Sequence, residues 1–249
     1  MMESTDHFSS HSKIYSAYRP VYPQSLYDFI LRHVEAREAL WDCGTGNGQV
    51  ARVLCRHFKK VFATDISQQQ INQGTRSPNI FYSIERAEKT SFKDSQFNLI
   101  TVAQALHWFQ ADKFFDEVRR TGSPGGLIAV WGYDLLNISP EIDKLVLKFY
   151  HETVGPYWNL SRKLVESRYE GIPFPFEAIA TPGFEIVAEW TPEHFEGYLT
   201  SWSATQKFIS INGFNPAPAF VRSLGPAWPS GMTKKVTFPV FLKLGRIHA

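Results

Sequence analysis

The stretch from Leu40 to Leu54, LWDCGTGNGQVARVL, constrains the fold of this chain more than any other. The run ALW before Asp42 is short and apolar, the mark of a buried strand. Val50, Val53, Leu54 and Phe58 then recur at helical spacing. Between these two patterns Gly44, Gly46 and Gly48 occupy alternate positions. A glycine-rich turn between a strand and a helix bends the backbone sharply, and it lets a ligand come within contact distance of the main chain.

The same alternation continues downstream. VFATD (61–65) reads as a strand ending in an acid, and SQQQINQG (67–74) as a short helix stopped by Gly74. IFYSI (80–84) and FNLITVA (97–103) read as strands. DKFFDEVRRT (112–121) reads as a helix with Phe114, Phe115 and Val118 inward, and LIAVWGY (127–133) as a fifth strand after an SPGG turn. Ahead of them, residues 22–34 carry Leu26, Phe29, Ile30 and Val34 at helical spacing. Strands alternating with helices predict an α/β fold, a parallel sheet with helices on both faces. After Tyr133 the rhythm changes. Residues 139–155 are helical in pattern, FEIVAEW (184–190) is a strand candidate, and residues 191–209 read as one helix with Thr191 as its N-cap. Residues 234–247 form a final strand in which Pro239 argues for an edge or a bulge, and the Pro/Gly-rich 213–231 reads as an exposed connection.

Composition narrows the class of function. Twenty-six basic against 24 acidic residues give a formal charge of +2. That balance offers no clustered basic face for nucleic acid, and solvated strand charges account for Lys234, Lys235, Lys243 and Arg246. Cys43 and Cys55 are the only cysteines and form no CxxC, so a structural zinc site is not expected and the count fits a reducing compartment. The polar N-terminal MMESTDHFSSHSK lacks the apolar core of a signal peptide, and no apolar run approaches the ~20 residues that span a bilayer. The expectation is a soluble cytoplasmic protein, a monomer or weak dimer, with no nucleic-acid or membrane partner.

The acids flanking the glycine turn specify its ligand further. The pattern is GxGxG, where the dinucleotide fingerprint is GxGxxG. Asp65 lies 21 residues beyond Gly44, the distance at which an acid after the second strand reaches ribose hydroxyls. A carboxylate there accepts from the 2′ and 3′ hydroxyls and disfavours a 2′-phosphate. Asp42 stands two residues before the first glycine. It would repel a pyrophosphate, but it suits the cationic amino acid end of S-adenosylmethionine, directly or through water.

Taken together, WDCGTGNG followed by ATDIS resembles the first two cofactor motifs of the class I S-adenosylmethionine-dependent methyltransferases. RAEKTSF (86–92), FNLITVAQALHWF (97–109) and PGGLIAVWGY (124–133) are similar to later segments of that family. The resemblance implies a Rossmann-like, seven-stranded, mostly parallel sheet, with FEIVAEW and KKVTFPVFLKLG closing it and the last strand antiparallel. AYRPVYP and AQALHWF resemble the small-molecule branch related to trans-aconitate methyltransferase, whose members act on small acids and other small molecules.

The resemblance implies S-adenosylmethionine as cofactor and a small-molecule carboxylate, hydroxyl or amine as methyl acceptor. Asp42, Gly44, Gly46, Gly48 and Asp65 would hold the cofactor. Ile66, Ala87 and Glu88 would meet its adenine, and Ala103 and Gln104 would lie near its methionine part. Where many relatives carry an aspartate before the Ala-Glu pair, this chain has Arg86. His107 and Trp108 would lie near the methyl group, His107 as a base for a hydroxyl or amine and Trp108 as a wall. Tyr15, Tyr18 and Arg19 sit on an N-terminal segment (1–21) that could fold over the site as a lid, with Arg19 suited to grip a carboxylate. The chain would form one methyltransferase domain (1–249), with cap insertions at 134–180 and 191–231 carrying Tyr157, Trp158, Trp202 and Phe208 over the substrate. Two alternatives remain at this point: a nicotinamide-dependent oxidoreductase and a non-catalytic module that binds S-adenosylmethionine.

Overall fold

Eight strands share one sheet in the computed structural model, which describes residues 18–248. β1 (Ala39–Cys43), β2 (Lys60–Asp65), β3 (Ile80–Ile84), β4 (Phe97–Ala103) and β5 (Gly122–Tyr133) pair in parallel in the order β3-β2-β1-β4-β5. β8 (Lys234–Arg246) runs antiparallel beside β5. β6 (Glu177–Ile179) and β7 (Phe184–Trp190) both pair antiparallel with β8, at opposite ends of it. The seven strands expected from the sequence are present, and β6 adds a short eighth. Pro239 falls where β8 passes from β7 alone to β5, whose ladder begins at Val240. A residue without an N–H fits at that handover.

The period of two in the strands explains the two-sided core. Leu40, Leu99, Leu127 and Ala129 face one hydrophobic cluster, whereas Trp41, Ile100, Ile128 and Val130 face the other. All five residues of β1 are buried, as a strand covered on both faces requires. α1 (Gln24–His33) packs Leu26 and Ile30 on the first face, and α4 (Ala111–Thr121) packs Phe114, Phe115 and Val118 on the second. α2 (Gln49–Leu54) and α3 (Gln68–Asn72) follow β1 and β2 directly. The chain leaves β1 toward β2 and later returns to β4 on its other side, so a crevice opens at the carboxyl ends of β1 and β4.

Between β5 and β8 the chain is largely helical. α5 (Pro140–Lys148) runs into a π turn at Phe149–Thr153, followed by α6 (Arg162–Glu166). The single helix expected over 191–209 is two, α7 (Pro192–Thr200) and α8 (Ser203–Asn212). At the break the Ser201 hydroxyl bonds back to the carbonyl of Tyr198, and Trp202 takes an extended backbone (ψ 136°) that buries its ring to 2% exposure. Residues 213–231 are likewise no simple exposed connection. They contain α9 (Ala217–Ser223), and Ala217, Val221, Leu224 and Trp228 are buried at helical spacing. No helix among the described residues is long and apolar enough to cross a membrane.

Candidate cofactor cavity and adjoining aromatic compartment

The glycine turn lies between β1 and α2, with φ of +65°, +55° and +78° at Gly44, Gly46 and Gly48. These left-handed conformations disfavour a Cβ, and the surroundings leave little room for one. At Gly44 a Cβ would stand 2.8 Å from the Ala105 Cβ and 3.0 Å from the Phe109 ring, and at Gly48 it would overlap the Tyr82 hydroxyl.

Asp42 is 1% exposed and lies behind this turn. Its Oδ2 accepts from Thr45 Oγ1 (2.5 Å) and from the backbone N–H of Ala51 (3.1 Å), and its Oδ1 accepts from Thr101 Oγ1 (2.9 Å). Burial pushes its pKa up to about 6, although these three donors favour the charged form. The carboxylate therefore ties the turn to both α2 and β4. Asp65, at the end of β2, accepts from the N–H of Gly46 and from that of Ser67, each at 2.9 Å. Gln104 has a left-handed φ of +54° outside any glycine. Its N–H donates to Trp131 O (2.8 Å) and its Oε1 accepts from the N–H of Tyr133 (2.9 Å), so it pins the end of β4 to the end of β5.

A cavity of about 520 Å³ opens over these strand ends. Asp42, Gly44, Gly46, Asp65, Ile66, Ala87, Glu88, Ala103 and Gln104 all line it, whereas Gly48 lies one step back against Tyr82. Ile66 leaves an apolar side chain 40% exposed on its wall, a surface suited to the face of a heteroaromatic base. Glu88 accepts from the N–H of Gln110 (2.9 Å) and lies 3.9 Å from the Arg86 guanidinium. The donor set suits a nucleoside with an amino acid tail: a carboxylate at the ribose distance, an apolar wall, and glycines whose Cβ atoms would crowd the turn. No group of three or more His, Cys, Asp or Glu residues that could hold a metal ion occurs among the described residues.

A second compartment of about 50 Å³ shares Arg19, Gln104, His107, Trp108, Tyr133, Asn159 and Ser161 with the first, and Trp158, Arg162, Tyr198, Trp202 and Ser203 complete it. Arg19 donates to the Tyr133 hydroxyl (2.8 Å) and to the carbonyl of Ser201 (3.1 Å), with its guanidinium 5.6 Å from the Tyr198 ring. Arg162 lies 5.1 Å over the Trp158 ring and donates from Nε to the Tyr150 hydroxyl (2.9 Å), which in turn donates to Glu166. Among the described residues no carboxylate lines this compartment. Burial, helped by the Arg162 charge, lowers the His107 pKa to about 3, so its ring is neutral.

Three residues expected at the acceptor, Tyr18, Tyr157 and Phe208, line neither compartment. The Tyr18 ring packs on His194 (5.2 Å) and against the Cα of Gly197, because neighbouring side chains diverge here and Arg19 takes the inward position. Tyr157 packs on Phe208 (5.1 Å) and accepts from Asn212 Nδ2 (3.0 Å), so Phe208 is also drawn away. Tyr15 lies outside the described residues. Sequence reasoning missed Arg162, Tyr133 and Tyr198. For Arg162 the sequence carried no signal: it stacks on Trp158 across a turn, outside any shared helix.

The chain is similar along its length to proteins of this type. The methyltransferase-domain family matches residues 41–130. A Dictyostelium discoideum protein named as a methyltransferase is 34% identical over 97% of this chain and 95% of its own. A Saccharomyces cerevisiae protein named as an S-adenosylmethionine-dependent methyltransferase is 26% identical, over 84% of this chain and 85% of its own. A solved structure described as a type II methyltransferase, from Anaeromyxobacter dehalogenans, superposes with a TM-score of 0.85 at 35% identity, covering 93% of this chain and 99% of that one. With the strand order, the glycine turn and the paired acids already in place, the chain belongs to the class I S-adenosylmethionine-dependent methyltransferases.

Proposed function

We propose that this enzyme transfers the methyl group of S-adenosylmethionine to a small anionic acceptor, a carboxylate, seated in the aromatic compartment. Family membership sets the nicotinamide alternative aside. The observation that carries the reading is the lining of the second compartment, with two guanidinium groups, aromatic walls and, among the described residues, no carboxylate, opening onto the cofactor cavity.

In this reading Asp65 accepts from the ribose hydroxyls, Ile66 packs on the adenine, and Ala87 and Glu88 flank it. Ala103 and Gln104 border the methionine part. Asp42 acts through the turn it organises, its charge favouring the cofactor's ammonium. Arg19 and Arg162 orient the acceptor, while Trp108, Trp158 and Trp202 wall it from water. Residues 134–180 and 191–231 then serve as the cap, and the segment around Arg19 as part of a lid. The cofactor supplies an activated methyl group, so the protein's task is to align the acceptor and exclude solvent. An acceptor oxygen forms the new bond to carbon as the carbon–sulfur bond breaks, its electron pair staying on sulfur. A carboxylate loses no proton in this step, so a ring as weakly basic as His107 suffices. A hydroxyl or amine would need a better base.

A methyl-transfer screen with radiolabelled cofactor over small acids, phenols and amines tests the reading. Small acids should be labelled, and Arg162→Met should raise the KM of any acid that is by about tenfold or more. Labelling of amines alone would refute it.

A further inference from the structure

His107 stands where the two compartments meet and lines both. Its Nδ1 lies 3.1 Å from the hydroxyl of Tyr169, the two rings within 22° of parallel, and Trp108 packs on it at 4.7 Å. Nε2 makes no hydrogen bond within the described residues and is not sealed in the interior. It is therefore the polar atom that the ring offers to the site.

Tyr169 is held unusually firmly. It is 0% exposed, and both it and Arg168 have left-handed backbones, with φ of +58° and +52°. Two consecutive non-glycine residues in that region persist only where the surroundings over-determine them. Here the Tyr169 carbonyl accepts from Lys243 Nζ (2.8 Å), and Arg168 pairs with Asp134 at 2.6 Å. The phenol ring also packs on Phe241 (5.4 Å).

A neutral imidazole carries one proton, so the contact at Nδ1 decides what Nε2 offers. A phenol is a stronger donor than acceptor, and a bare imidazole nitrogen is a strong acceptor. With the hydroxyl of Tyr169 as donor to Nδ1, the ring proton lies on Nε2. Burial opposes a second proton, and so does the charge of Arg162 across the second compartment, which Arg19 also lines. Tyr133 and Tyr198 face it as neutral phenols.

We propose that Tyr169 is a positioning residue that fixes His107 with its proton on Nε2, so that His107 meets the acceptor as a hydrogen-bond donor and takes no proton from it. The half of the proposal that concerns the acceptor rests on the reading that the acceptor lies in the second compartment. His107 then adds a third donor to the two guanidinium groups. All three favour an acceptor that presents lone pairs. No proton moves to the ring during transfer.

The test is a long-range proton–nitrogen correlation spectrum of the whole protein labelled with ¹⁵N-histidine, the His107 signals being assigned by their loss in His107→Gln. The expected result is a bare Nδ1 and a protonated Nε2, unchanged between about pH 5.5 and 8. Tyr169→Phe should show both tautomers. A proton on Nδ1, or a ring that titrates in this range, overturns the proposal whether or not Tyr169→Phe folds. An unchanged tautomer in folded Tyr169→Phe overturns the part given to Tyr169. Benzoate added to protein loaded with S-adenosylhomocysteine should shift the Nε2–H signal. A fixed tautomer with no response to benzoate upholds the lock and overturns the acceptor reading.

Discussion

Replacing Asp42 by Asn separates the energetic cost of a buried carboxylate from its use. The carboxylate is 1% exposed and has only neutral hydrogen-bond donors, so folding raises its pKa from 3.8 to about 6. An acid whose pKa is raised on folding contributes stability that is complete below the unfolded value and is lost as pH rises through the folded one. The shift of about two units corresponds to about 3 kcal/mol in total, at about 1.4 kcal/mol per unit. Of this, about 2 kcal/mol is lost between about pH 4.5 and pH 7. Asn keeps the shape and has no charge to bury, so that loss is removed from the variant. Urea unfolding of both proteins without ligand, at several pH values across this window, reads the difference. The stability of the wild type should fall relative to that of Asp42→Asn by about 2 kcal/mol from the acid end to the neutral end. Parallel stability curves would refute the reasoning, since they would mean that the carboxylate folds with an ordinary pKa. The variant should also bind S-adenosylhomocysteine more weakly at neutral pH, where the wild-type charge is present to favour the ligand's ammonium.

Two further outcomes follow from the turn and its partner acid. Asp65→Ala should weaken S-adenosylhomocysteine binding about a hundredfold by calorimetry, as expected for losing charge-assisted hydrogen bonds, and retained affinity would remove the ribose role. Gly44→Ala combines a left-handed φ with a Cβ 2.8 Å from that of Ala105, so it should cost about 2–4 kcal/mol and lower the melting temperature by roughly 5–15 °C. An unchanged melting temperature would show that the turn has slack.

The cofactor half of the molecule was legible because its signals are local. A strand, a glycine turn, a helix and an acid at a fixed distance all lie between Leu40 and Asp65, and short-range spacing fixes them. The second compartment was not legible in the same way. Arg19, Tyr133, Arg162, Tyr198 and Trp202 come from separated segments, and only packing decides which side chain of a neighbouring pair faces inward. Tyr18 and Arg19 show this directly, since either residue type could line a pocket and Arg19 does. The helix break at Ser201 follows from a hydroxyl-to-backbone bond that no apolar period reveals. α9 was missed for the opposite reason. The prolines and glycines of the surrounding 213–231 segment drew attention from Ala217, Val221 and Leu224, whose spacing was helical all along.

The placing of β8 bears on how the molecule assembles. It follows β6 and β7 in the chain yet lies between β5 and β6, so the sheet is completed from within and not at its rim. Until Lys234–Arg246 docks, β5 offers a free row of N–H and C=O groups beside Leu127, Ile128, Val130 and Trp131, each at most 1% exposed in the finished fold. Such an apolar open edge is a template for pairing with other chains. β8 thus acts as an internal chaperone for the strand it covers, and a chain cut short before Lys234 would be lost to aggregation even though every residue of the glycine turn were intact.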